Sequence, residues 1–148
     1  MRMLMWVGIS AVGVMAAVGG LVVGVPAAPF VMEYGCGPTE ERLGEALAGD
    51  PVLDAGVEEA RAEESYQECD DDDLNVVAGK AYRYGGDRES VLVHYRDAAR
   101  AHGWRYRTSA CFTKSIDGSV ASLILEGPAD GSLQVEIIAA DGATEHWC

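Results

Sequence analysis

Residues 3–25 contain no charged side chain, and at helical rise a run of that length crosses the hydrocarbon core of a bilayer. The pattern predicts a transmembrane helix at 1–25, kept as an anchor or uncleaved signal. Val25-Pro26-Ala27 also resembles a small-x-small processing site, so a secreted form released by signal peptidase is the alternative. Signal h-regions are shorter than this run, which favours the anchor. Arg2 precedes the run and the next basic residue is Arg42, an asymmetry that puts the N-terminus in the cytoplasm and the remainder outside. Residues 26–38 hold three prolines and no helical period, and read as a tether.

Beyond the tether the pattern changes twice. Thr39-Glu40-Glu41-Arg42 resembles a capped helix start, with Leu43, Ala46 and Leu47 on one face before Gly49-Asp50-Pro51 ends it. Residues 57–67, rich in alanine and glutamate, read as a further helical segment. From Leu74 the period is two: Leu74, Val76, Ala78, Lys80, Tyr82 and Tyr84 share one face of a strand. Asp87 or Ser90 then caps the main amphipathic helix. Val91, Leu92, Tyr95, Ala98, Ala99 and His102 recur along it at helical spacing, and Gly103 stops it with Trp104 folded back on the last turn.

Three strands follow, at 104–114, 119–126 and 132–140, and residues 144–148 add a short edge strand. Asp117-Gly118, Asp130-Gly131 and Asp141-Gly142 mark turns, the first and third giving the strongest hairpin signals. The predicted domain, 39–148, is α+β: one main amphipathic helix packed on a mostly antiparallel sheet. A right-handed crossover makes the strands flanking that helix parallel if they share a sheet.

Charge narrows the function. Eleven Lys and Arg face 24 Asp and Glu, a formal net charge of −13, which repels nucleic acid and anionic lipid surfaces. Cys36, Cys69, Cys111 and Cys148 all lie beyond the apolar run and none forms a C-x-x-C pair. In an oxidising compartment they make two structural disulfides, with three pairings open.

No local motif supplies catalysis: G-x-S-x-G, a phosphate loop and H-E-x-x-H are all missing from the sequence. His94 and His102, eight apart on the main helix, are the candidates for a small hydrolase, and His146 stands apart. Asp70 to Asp73 form a solvated acidic loop without the alternation of a calcium-binding loop. No catalytic, cofactor or metal residue is assigned, and the chain is not expected to be an enzyme. The expected role is non-catalytic binding of a protein or small-molecule partner, through the sheet face opposite the helix or an edge strand. The membrane is the other expected partner, through the N-terminal helix, where Ala16, Gly20 and Gly24 form a small-residue stripe.

Tyr82-Arg83-Tyr84, Val91 with Tyr95, Gly103-Trp104 and Cys111-Phe112-Thr113-Lys114 resemble a group of uncharacterised small actinobacterial proteins that are exported or membrane-anchored. The resemblance covers roughly residues 69–138 and brings no activity with it. It implies that Cys69 bonds to Cys111, leaving Cys36 for Cys148.

Overall fold

A computed structural model describes residues 35–144 and 147–148. The predicted membrane helix and most of the tether lie outside the described residues. Among those described, no helix is long and apolar enough to cross a membrane. They form an α+β domain of two helices on a six-stranded antiparallel sheet.

Helix α1, Pro38–Ala48, starts two residues before a Thr39 cap would place it. Proline suits the first helical position, where an N–H would have no partner. Gly37 is the N-cap, and Glu40 Oε2 accepts its N–H at 2.8 Å. Leu43 and Leu47 are buried, and a single 3-10 turn, Pro51–Asp54, adds Val52 and Leu53 to the core.

Strand β1, Arg61–Cys69, replaces the helix expected at 57–67. It is an edge strand paired with β2, Asn75–Arg83, and almost all its side chains are exposed. No buried face imposes an alternating pattern there, so composition alone suggested a helix. Strand β2 follows the predicted alternation, with Val76, Ala78 and Tyr82 buried, and Tyr84, just past its end, is buried too. Leu74 instead sits at φ +55 in the preceding turn and is exposed.

Helix α2, Arg88–Ala101, is the main helix expected. Asp87 caps it by accepting from the Ser90 N–H at 2.8 Å, and Val91, Tyr95 and Ala99 are buried. Gly103, at φ +83, lets Trp104 N–H reach back to Ala99 O at 2.9 Å, and the Trp104 ring is buried.

The single strand expected at 104–114 is two strands: β3, Arg105–Thr108, and β4, Cys111–Ile116, which fold on each other. Their turn, Ser109-Ala110, lacks the Gly, Asn or Asp that usually announces a hairpin. Strands β5, Ser119–Ala129, and β6, Ser132–Ala140, complete the sheet. Asp117-Gly118 and Asp130-Gly131 form two-residue hairpin turns with both residues at positive φ. Asp141-Gly142, expected to be a hairpin, instead turns the chain out of β6, and no strand follows it among the described residues.

The strand order is β1-β2-β6-β5-β4-β3. Each neighbouring pair is antiparallel, so β2 and β3, which flank α2, run parallel with three strands between them. Both helices cover the same face. Their buried residues join Phe112, Leu123, Leu125, Leu133, Val135 and Ile137 in one core.

The disulfides are Cys36–Cys69 and Cys111–Cys148, with Cα separations of 6.2 and 5.9 Å. This corrects the pairing the resemblance implied. Cys69 lies on edge strand β1 and Cys111 on β4, with β2, β6 and β5 between them. Four strand spacings are about 19 Å, far beyond the reach of a disulfide. Even without β6 between them, three spacings, about 14 Å in all, would remain.

Candidate functional site

The sheet register assigns alternate residues to opposite faces. Phe112, Leu123, Ile137 and Ala78 align across four strands on the face that the helices cover. One residue along, Thr113, Ser122, Ile138, Val77 and Glu68 align on the other face. No helix covers that second face among the described residues.

Part of it is closed by the C-terminal segment. After β6 the chain recrosses the sheet: Ala143 O accepts from Val120 N–H at 2.8 Å, and Trp147 N–H donates to Ser122 Oγ at 2.9 Å. Cys148 then bonds to Cys111. Ser122 beneath it is buried, as is Thr113 on the neighbouring strand, whereas Trp147 remains 50% exposed.

The remainder is an open strip. Val77, Ala81, Ile124, Ile138 and Ala140 are half-buried, and the strip is apolar along its middle. Tyr66 reaches into it from edge strand β1. Its ring lies so close over Gly79 that a Cβ there would stand 2.5 Å from the ring, and its hydroxyl donates to Glu136 Oε1 at 2.5 Å. Gly79 is therefore required for the close approach of the ring, not for a backbone angle. Burial first, then the hydrogen bond to the Glu136 carboxylate, holds the Tyr66 phenol well above its usual pKa. Glu64, Glu68 and Glu126 share this face by register and make its rim acidic.

A second feature lies at the opposite edge. A cleft of about 390 Å³ is lined by Arg105, Arg107, Thr113, Lys114 and Ser115, with Gly103 and Val120 at its margins. Arg107 Nε donates to Thr113 Oγ1 at 2.9 Å, which fixes the guanidinium. Lys114 is held by buried Asp50, whose Oδ2 accepts from its Nζ at 2.6 Å. The other Asp50 oxygen accepts from Val52 N–H at 3.0 Å and Trp104 Nε1 at 3.2 Å. Asp50 thus ties the 3-10 turn to the β3–β4 end of the domain.

The residues weighed in the sequence fall elsewhere. His94 is half-buried and its Nε2 lies 2.6 Å from Ala55 O, which joins α2 to the chain after the 3-10 turn. His102 is the C-cap of α2. Among the described residues neither makes an ion pair with a carboxylate, and neither lines the cleft. His146 is outside the described residues.

The four aspartates turn the chain between β1 and β2. Asp70 accepts from the N–H groups of Asp72 and Asp73, and Asp71 from Cys36 N–H at 3.0 Å. No cluster suited to a metal ion occurs among the described residues. All four cysteines are bonded.

Sequence reasoning missed the cleft. Its signal was three basic residues within ten positions of an acidic chain, which alternation alone reads as the polar side of a strand. No family model matches the chain, and neither does a curated protein or a solved structure.

Proposed function

We propose that this chain is a non-catalytic binding domain, tethered to the outer face of a cell membrane by residues 3–25, and that the open strip of the sheet is its contact surface for a protein partner. The observation that carries this reading is a half-buried apolar strip, formed by Val77, Ile124 and Ile138, that no element covers among the described residues. Exposed Trp147 and half-buried Tyr66 offer aromatic area of the kind enriched at interfaces. The acidic rim favours a partner that is apolar at the centre and basic at its border. Two disulfides in so small a domain fit an oxidising compartment outside the cytoplasm.

Photocrosslinking in cells that make the full chain tests the reading. A benzophenone side chain at position 77 or 138 should capture one protein of the same mass, and the same group at Val93, exposed on α2, should not. Equal capture from all three positions, or none from 77 and 138, rejects the strip as the contact surface.

A further inference from the structure

The cleft beside β3 inverts the charge of the molecule around it. Three of the chain's eleven basic residues line it, and no carboxylate among the described residues does so, although Asp and Glu outnumber Lys and Arg by more than two to one.

The three cations are not equivalent. Lys114 is already neutralised by Asp50. Arg105 and Arg107 are the available ones: Arg105 pairs in register with Thr113, Arg107, at the irregularity between Tyr106 and Thr108, reaches the same Thr113 through its Nε, and neither has a carboxylate partner among the described residues. Arg107 is oriented by its Nε bond to Thr113, and neither of its terminal nitrogens has a partner among the described residues. Thr113 is itself buried, 3% exposed, so the group that aims Arg107 is part of the packed sheet rather than a mobile surface side chain. Ser115 adds a hydroxyl on the same wall.

We propose that this cleft binds a phosphate monoester of about sugar size. Two guanidiniums and a hydroxyl line one cleft, and so many N–H and O–H donors suit the three terminal oxygens of a phosphate better than the two of a carboxylate. The volume, about 390 Å³, lies in the range of small-molecule sites and exceeds what a bare oxyanion fills, so the ligand carries an uncharged portion as well. Surrounding negative charge rejects extended polyanions, which sets the ligand as a small molecule with one anionic group. The site is separate from the open strip and stands whether or not that strip binds a protein.

Equilibrium dialysis of the full chain in non-ionic detergent micelles against glucose 6-phosphate, at low salt, tests the site. Saturable one-to-one binding is expected, with no binding of glucose. Arg105→Ala and Arg107→Ala should each weaken it at least fivefold. Arg107→Lys, which keeps the charge and loses the fork, should weaken it at least threefold. Phosphatidic acid, itself a phosphate monoester, added to the micelles distinguishes two sources of the same chemistry: displacement identifies a lipid headgroup, and no displacement identifies a soluble ester.

Non-saturable binding of glucose 6-phosphate overturns the proposal, as does unchanged affinity in the double Arg105→Ala/Arg107→Ala variant. Glu145 falls in sequence between Ala143 and Trp147, both seated on β5. Binding that emerges only in Glu145→Gln would mean that the chain's own carboxylate is the occupant, and would also overturn it.

Discussion

Strand β6 shows the two faces of the sheet side by side. Val135 and Ile137 are fully buried under the helices, whereas Glu136 and Ile138, one residue along, are half-buried on the face the helices leave open. The covered face unites both helices, the 3-10 turn and five of the strands in one core. The open face is crossed by the C-terminal segment, and its side chains are held less tightly. Each face has its own disulfide: Cys69 packs against the core, and Cys111 lies opposite, under the chain end. One surface holds the domain together, and the other takes less part in the packing.

Removing a disulfide should give the largest effect. The bonds span 33 and 37 positions, and loop closure of that size contributes about 4 kcal/mol each. Cys36→Ser/Cys69→Ser should also lower hydrogen-exchange protection in α1. In Cys111→Ser/Cys148→Ser, protection in β2 and α1 should persist while the chain after β6 loses its own. Protection lost equally everywhere in both variants would break the contrast between the faces.

Next comes the adjacent pair on β6. Ile137→Ala should cost about 3 kcal/mol in denaturant unfolding, because it opens a cavity in the core, and Ile138→Ala about 1 or less. Similar costs at the two positions would mean that the open face is covered after all. Asp50→Asn should follow at about 2 kcal/mol. It keeps an acceptor for Val52 N–H but leaves Lys114 without its counter-charge, a loss moderated because Lys114 is partly exposed.

The smallest effect is alkaline. Burial raises the pKa of Tyr95 and Tyr82 on the covered face and of Tyr66 on the open face. Above pH 10 the folded state then holds more protons than the unfolded chain, so stability present below pH 10 is lost as pH rises, by up to about 1.4 kcal/mol per unit for each tyrosine. The Tyr95 hydroxyl, buried beside Tyr82, has no hydrogen-bond partner among the described residues. Tyr95→Phe should therefore flatten the alkaline slope without loss at neutral pH. Tyr66→Phe should flatten it less, because solvent screens a half-buried group. Unfolding midpoints measured from pH 8 to 11 check both.

Where a residue's burial imposed a period, the sequence was readable. Helix α2 with its Asp87 cap and Gly103-Trp104 stop, strand β2 and strand β6 all fall where the pattern put them. Strand β1 was not readable, because an edge strand with both sides in solvent has no reason to alternate, and Ala62, Glu63 and Glu64 favour a helix by composition. The β3–β4 turn was missed because Ser109-Ala110 carries no turn chemistry.

Disulfide pairing depends on which strand lies beside which, and the position of β6 between β2 and β5 leaves no mark in local sequence. The open face was legible as a possibility, since a helix covers only one side of a sheet. The cleft was not, because bringing Arg105 and Arg107 to Thr113 and Lys114 requires the hairpin that went unread.

The two disulfides also set how the domain would transmit force. A pull applied between Cys36 and Cys148 passes directly through the sulfurs to Cys69 and Cys111. Helix α1, β1, β5 and β6 lie inside closed loops and bear no tension along their backbone. Only residues 69–111 are stretched, with β2 loaded along its hydrogen-bonded ladders to β1 and β6. The fold is thereby a short mechanical link in which most of the domain from Cys36 onward is shielded from the load.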